Sequence, residues 1–312
     1  MKMNKRVYGV VGIRSIMSNW NADFSGHPKS TSNGDFFGSD KAFKYPIKKM
    51  WQAQGEKVIY VRSYKIDDKV KKDKDETLQP QDLNEQYTKV FDTELDVNTS
   101  SKEILKNLFS AIDIMNFGAT FAEKKQNISI TGAVQVGQGF NKYDGMNVEI
   151  QDILSPFRNS NKEDADASSL GKKIMADEAH YFYSFSVNPA NYNDYVALDI
   201  DGFEGYTTEA FEKFKKGCLV AATAHNTNSK VGCENEFALF ITCKEGSNLY
   251  LANIDAYVDF RKEGAENFIN LEKISKLLTN KMDQIENIEI YYNDIDTMLE
   301  LGGLKCSVNS LY

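Results

Sequence analysis

Residues 7–51 read VYGVVGIRSIMSNWNADFSGHPKSTSNGDFFGSDKAFKYPIKKMW. Val7, Val11 and Ile13 alternate with Tyr8, Val10 and Arg14, the period of two that marks a strand. Residues 18–39 are rich in Asn, Ser and Gly and read as a long loop. Helical spacing resumes over residues 39–54, with Phe43, Ile47, Met50 and Trp51 apolar. Ser39 and Asp40 suit the start of that helix, and Pro46 is expected to bend it or delay its start. Strand, polar loop and basic helix form the first unit of the chain.

Working outward, EKVIYVRSYK (56–65) reads as a second strand. Residues 66–100 carry ten acids, five bases and few large apolar side chains, an excursion from the core. Ser100 and Glu103 then make a capping box for a helix with Ile104, Leu105, Leu108, Phe109, Ile112 and Met115 on its apolar side. NISITGAVQV follows as a strand with Ile128, Ile130, Val134 and Val136 on one face. Residues 137–180 include SPFRNSNKEDADASSLGKK, too long and polar for an ordinary connection. Strand HYFYSFSV (180–187), helix 208–224, strand NEFALFITC (235–243), helix 271–280 and strand NIEIYYN complete the chain. Stripped of its excursions, the order predicts an α+β fold, a ferredoxin-like or RRM-like plait of βαβ halves. Residues 1–65, 101–136 and 181–312 make its discontinuous palm. The inserts are 66–100 and 137–180, which project from it.

Composition bounds what such a fold does. With 41% hydrophobic and 26% charged residues, the 312-residue chain is neither wholly disordered nor fibrous. No apolar run approaches the roughly 18 residues of a membrane span. The start lacks the apolar stretch of a signal peptide, so a cytoplasmic location is expected. The formal charge of −8 speaks against nucleic acid as a partner, until the chain is divided. Residues 1–65 hold twelve Lys or Arg against four Asp or Glu, a surplus of +8, which leaves −16 for residues 66–312. Six acids and no base lie between Asp283 and Glu300. One basic track on an acidic body is the pattern implied.

Enzyme chemistry has no visible anchor. Cys218, Cys233, Cys243 and Cys306 show no zinc-type spacing, and His27, His180 and His225 lie far apart. Cys218 belongs to the apolar stripe of helix 208–224, which favours a buried structural thiol over a nucleophile paired with His225. GVVG in the first strand lacks the Gly-Lys-Ser/Thr ending of a phosphate loop. Asp199-Ile-Asp201-Gly202 lacks the remaining ligands of a calcium loop and reads as a turn. No metal or cofactor is implied.

The basic helix offers more. Lys41, Lys44 and Lys48 form one stripe at i, i+3 and i+7, and the amides at the Ser39 end suit a phosphate. Asn19, Asn21 and Lys29 in the preceding loop suit a sugar–phosphate backbone. Arg14 aligned with Tyr8, and Arg62 with Tyr60 and Tyr64, match a surface that stacks bases and binds phosphates. Together they favour RNA over an ordinary lysine face.

Residues 7–51 also resemble the start of the backbone subunits of Cascade, the CRISPR-associated members of the RAMP superfamily. The resemblance continues through MNFGATFA and ISITGAVQVGQGFNK (115–142) and HYFYSFSVNP (180–189). It extends to FEKFKKGCLVAATAHNTNSKVGCENEFALFI (211–241), where a helix leads through a Ser-Lys-x-Gly turn to a strand. The spacing is most similar to the subtype I-B branch. The resemblance implies a non-enzymatic protein of antiviral defence, with a modified RRM-like palm bearing finger (66–100) and thumb (137–180) projections. Its implied partners are the CRISPR guide RNA, neighbouring copies of itself, other Cascade subunits and, through guide pairing, target DNA. Carried onto this sequence, the RNA contacts are Arg14, Asn19, Asn21, Lys29, Ser39, Lys41, Lys44 and Lys48. Lys172, Lys173, Ile174 and Met175 of the thumb touch RNA or wedge at a kink. Tyr45 and Pro46 depart from the family's Lys/Arg-rich helix centre. Two other readings remain open: an RNA-cleaving relative using Asp23 or Asp35 with a metal, and a protein-interaction module whose lysines are merely solvated.

Overall fold

A computed structural model describes residues 1–67, 77–154 and 169–312. Parts of both expected projections, residues 68–76 and 155–168, lie outside the described residues. The framework is a mixed α/β body built on one large sheet. Strand β1 spans Val7–Ser18 and helix α1 Asp40–Ala53. Strand β2 (Val134–Val136) and strand β3 (Ser169–Val187) follow, then helix α2 (Thr208–Val220), strand β4 (Cys233–Cys243) and strand β5 (Ile285–Tyr292). β1 lies between β3 and β4, antiparallel to both; β2 pairs antiparallel with β3 and β5 with β4. The spatial order is therefore β2-β3-β1-β4-β5. Among the described residues no helix is long and apolar enough to cross a membrane.

Both faces of this sheet are covered, which is why the β1 stretch is apolar almost without interruption. Val7, Val11 and Ile13 enter one core with Phe43, Ile47 and Trp51 of α1 and Phe211, Phe214 and Cys218 of α2. Tyr8 and Val10 enter a second core with Phe182, Phe237, Leu239 and Ile241, roofed by Leu249, Ile254, Ile269, Leu271 and Ile274. Gly9 sits where a Cβ would collide with the Phe185 ring and the Leu239 carbonyl, so only glycine lets the three central strands close up.

Several expected elements form differently. Residues 56–63 are not a sheet strand: Val58, Ile59 and Val61 are buried, but the amides of Ile59 and Tyr60 donate to the Asp113 carboxylate. A short run of β-branched and aromatic residues mimicked a strand while a side chain took the place of a neighbouring strand. Only Tyr64–Asp67 is extended and paired, with Thr77–Pro80 in a separate hairpin. Insert 66–100 is not wholly an excursion either, since Tyr87, Phe91 and Leu95 enter the first core. A capping box between Asp82 and Glu85 starts their helix, Leu83–Phe91. The expected helix from Ser100 breaks at Ala111 into Ser101–Ser110 and Ile112–Phe117. The expected strand 127–136 divides at Gly132: Gln126–Thr131 turns back on Gly118–Glu123, and β2 alone joins the main sheet. β3 runs without a break from the 137–180 insert into the palm, so the boundary at residue 180 falls inside a strand.

Candidate nucleic-acid interface

Helix α1 forms where its spacing foretold. Ser39 is the N-cap, its Oγ accepting from Ala42 N at 3.3 Å, and Phe43, Pro46, Ile47 and Trp51 bury the inner face. Pro46 stands inside the helix and neither delays its start nor ends it. The outer face carries Lys41, Lys44 and Lys48 along a cleft of about 360 Å³, closed by Tyr45, Tyr60, Phe117 and residues 118–120. The three lysines are not equivalent. Lys44 Nζ donates to Asp40 Oδ2 at 2.9 Å. Burial pushes the Asp40 carboxyl up, but Lys44 outweighs it and holds it below the usual range. Lys48 Nζ stands 4.0 Å from Asp113 Oδ2 and over the rings of Tyr60 and Phe117. Burial lowers the Lys48 pKa and raises that of Asp113, which sits behind the cleft wall. Lys41 is exposed and has no carboxylate partner among the described residues.

A second cleft, of about 220 Å³, joins residues remote in sequence. Asn19, Ala22 and Gly26 of the long loop line one side; Lys172, Lys173, Ile174 and Met175 of β3 line another, with Asn228, Ser229 and Lys230 closing it. Asn19 is buried, and its Nδ2 donates to the carbonyls of Gly26 (3.0 Å) and Ile174 (3.2 Å). It fastens the loop to β3. Lys230 Nζ donates to the carbonyls of Asn19, at 2.6 Å, and Trp20, and burial lowers its pKa. Met175 is only 2% exposed and serves as packing, not as a wedge. Lys172 is exposed and Lys173 half-buried, neither with a carboxylate partner among the described residues.

The loop links the two clefts. Asn21 Oδ1 accepts from Ser39 N at 2.8 Å, tying the loop to the start of α1. Trp20 Nε1 donates to Tyr183 OH at 2.6 Å, beneath Gly38, where a Cβ would strike both side chains. Lys29 Nζ lies 5.7 Å from the centre of the Phe37 ring. Phe24 at the loop tip is fully exposed. Of the twelve predicted contacts, Asn19, Asn21, Ser39 and Met175 thus hold the surface in shape, Ile174 lines the second cleft, and the six lysines carry its charge.

Arg14 does not join them. Its Nε donates to Glu234 Oε1 at 2.7 Å, with further ion pairs to Glu234 and to Asp296. Burial would lower its pKa, but the two acids outweigh it and raise it. The guanidinium staples β1 to β4 and to the turn after β5, where the sequence reading had an RNA contact. Tyr8 is likewise buried, its OH donating to the Leu249 carbonyl at 3.1 Å, and Tyr60 OH donates to the Thr120 carbonyl. Tyr8 has no free face for a base, and Tyr60 is a half-buried wall of the α1 cleft. The sheet face that carries Tyr8 and Val10 lies under a hydrophobic roof.

One buried charged group ties that roof to the sheet. His180 Nδ1 lies 2.7 Å from Glu236 Oε2 and Nε2 3.1 Å from Glu178 Oε1, with the ring stacked on Phe260 and Lys262 paired to Glu178. Burial alone would lower the imidazolium pKa; Glu236 and Glu178 overcome it and raise it from 6.5 to about 9. Because the folded value is the higher, this stabilisation is complete below pH 6.5 and is lost as pH rises through about 9. Thermal melts should therefore fall between those pH values in the natural chain and much less in His180→Gln. Parallel pH profiles of the two proteins would refute a charged His180.

The alternative catalytic groups are occupied in turns. Asp23 Oδ1 accepts from Ser25 N, Ser25 Oγ and His27 N at 2.7–3.0 Å. Asp35 Oδ2 accepts from Thr31 Oγ1. Cys218 is wholly buried, and Asp201 and Gly202 form a turn closed by Phe203 N donating to the Ile200 carbonyl at 3.0 Å. Sequence reasoning missed Lys230, Phe24 and Asp113 as residues that shape the surface. Lys230 was visible only as part of the Ser-Lys-x-Gly turn, and nothing local tied Asp113 to Ile59 and Tyr60.

In fold the chain is similar to a chain of a solved "CRISPR RNA-guided surveillance complex, pre-nicking", with a TM-score of 0.52 at 13% identity over 98% of this chain and 96% of that one. A chain of a solved "CRISPR RNA-guided surveillance complex" gives a TM-score of 0.48 at 14% identity, covering 96% and 94%. No curated protein matches in sequence. The profile of the family "CRISPR-associated protein Cas7" matches residues 5–291, nearly the whole chain. The chain belongs to the Cas7 family.

Proposed function

We propose that this protein is a guide-RNA-binding backbone subunit of a Cascade-type surveillance complex, of the subtype I-B branch, working in the cytoplasm without catalysis. The observation that carries the reading is the second cleft: loop 18–39 and β3, about 150 residues apart, meet around three lysines beside the basic helix. That convergence gives a backbone track on one edge of the body, while the sheet face is roofed. The order β1-α1-β2-β3-α2-β4, with sheet order β2-β3-β1-β4, supports a ferredoxin-like or RRM-like palm. On this reading residues 66–100 and 137–180 are finger and thumb. Lys29, Lys41, Lys172 and Lys173 take phosphates, Phe24 stacks on a base, and guide bases left outward pair with target DNA.

Polymerisation along the guide needs complementary faces between copies. Exposed apolar side chains stand on both inserts, Ile66 and Leu78 on one and Ile150 and Leu154 on the other, and support contacts with neighbours. Expression with and without a guide RNA tests the proposal. The expected result is a protein that elutes large with a high 260/280 nm absorbance ratio only when the guide is present. A nucleic-acid-free monomer in both preparations would overturn it.

A further inference from the structure

Lys48 lines the α1 cleft with only 17% of its side chain exposed. Its Nζ lies 5.6 Å from the centre of the Tyr60 ring, 5.7 Å from that of Phe117 and 4.0 Å from Asp113 Oδ2. That last distance is beyond hydrogen-bond reach, so the carboxylate balances the charge without engaging the nitrogen directly. The other groups around it are Asp40, Lys41 and Lys44 on its own helix and Tyr60 from residues 56–63; residues 118–120 bring no charge. Burial lowers the Lys48 pKa; Asp113 and Asp40 pull against that, Lys44 adds to it, and the balance is a lowered value. A desolvated lysine facing an open cleft is a nucleophile, whereas an exposed one is held as the ammonium ion at neutral pH.

The same cleft is equipped to hold a leaving group. Lys44 gives one hydrogen to Asp40 Oδ2 at 2.9 Å and has two more to give. Lys41 is exposed, with no carboxylate partner among the described residues. Lys44 Nζ lies 5.4 Å from the centre of the Phe117 ring that Lys48 also faces, so a small dianion between Lys41 and Lys44 sits beside the Lys48 amine. Tyr45, Tyr60 and Phe117 supply an apolar side for a short acyl chain, and the volume of about 360 Å³ is ample for both parts. We propose that Lys48 is a modification site, acylated on Nζ by small acyl phosphates that the α1 cleft holds through their phosphate. The neutral amine attacks the acyl carbon, the N–C bond forms, and the C–O bond to phosphate breaks. Phosphate leaves as hydrogen phosphate, taking one of the two amine protons, so an amide replaces the amine and no other reactant is needed. The amide is uncharged, which leaves Asp113 without its counter-charge and the lysine stripe one cation short. The proposal does not rest on the guide-RNA reading, because the reaction runs on the bare chain.

The test incubates the full chain, free of nucleic acid, with acetyl phosphate near neutral pH and reads the acetylation rate of each lysine by peptide mass spectrometry. Lys48 should react about tenfold faster than the exposed Lys102 and Lys172, a small part of what holding two reactants together can supply. With phenyl acetate, which offers no phosphate to hold, that lead should shrink severalfold. Lys41→Gln/Lys44→Gln should slow Lys48 about tenfold with acetyl phosphate, and Lys41→Arg/Lys44→Arg, which keeps both cations, should restore most of the rate. Lys48 reacting no faster than Lys102 and Lys172 would overturn the proposal. So would an equal lead with both donors, or an undiminished rate in the glutamine variant. The donor comparison is made on the natural chain, so it decides the matter even if the glutamine variant fails to fold.

Discussion

Asp113→Ala should lower stability by about 3–5 kcal/mol, the range for removing one partner of a buried ion pair. The carboxylate is almost wholly buried and accepts from Ile59 N at 3.2 Å and Tyr60 N at 2.9 Å, with Lys48 4.0 Å away. Alanine leaves two main-chain donors without an acceptor and one ammonium group without its counter-charge. Each such group costs about 1–3 kcal/mol when buried. Asp113→Asn retains an acceptor but not the charge and should fall between. Because the segment it holds includes Tyr60, a wall of the α1 cleft, RNA affinity should drop as well. Urea unfolding reads the stability. A change below about 1 kcal/mol in the alanine variant would mean that other contacts hold residues 58–61.

Removing Lys41, Lys172 and Lys173 together should weaken RNA binding about 50-fold near physiological salt. These are the predicted lysines on or beside the two clefts that no carboxylate engages among the described residues. A phosphate contact on a single strand contributes a slope of about −0.7 in log K against log salt. Taking away three such contacts amounts to about 1.7 log units between ~1 M and ~0.15 M salt, and the slope itself should fall by about 2. Lys44 and Lys48 are deliberately left in place, since each is committed to an aspartate. Fluorescence anisotropy on two RNAs of unrelated sequence is the measurement. Equal losses on both are expected, because backbone contacts carry no sequence information. A loss confined to one RNA would contradict backbone binding.

What could be read without coordinates was what local chemistry encodes. The β1–loop–α1 unit formed as expected, because its apolar period, its Ser39 cap and its polar loop all act within a few residues. The lysine stripe was visible for the same reason. What failed depended on partners far along the chain. Residues 56–63 have the β-branched and aromatic composition of a strand, yet the acceptor of two of their amides is a side chain about 50 residues later. Arg14 looked free because Glu234 and Asp296 lie over 200 residues away. Tyr8 looked exposed because its cover comes from the last quarter of the chain. The second cleft was half legible: Asn19 and Lys172–Met175 were singled out separately, but Lys230, which ties the loop to the turn before β4, showed only as part of the Ser-Lys-x-Gly turn.

The location of RNA on the protein is the most direct test. Ultraviolet cross-linking of the guide-bound protein, read by peptide mass spectrometry, should place adducts in residues 19–30, 39–48 and 172–175. The roofed face, Tyr8, Phe182 and Phe237, should carry none, because each is buried under the C-terminal part. Adducts concentrated on that face, or absent from both clefts in a preparation that holds RNA, would contradict the edge-bound track.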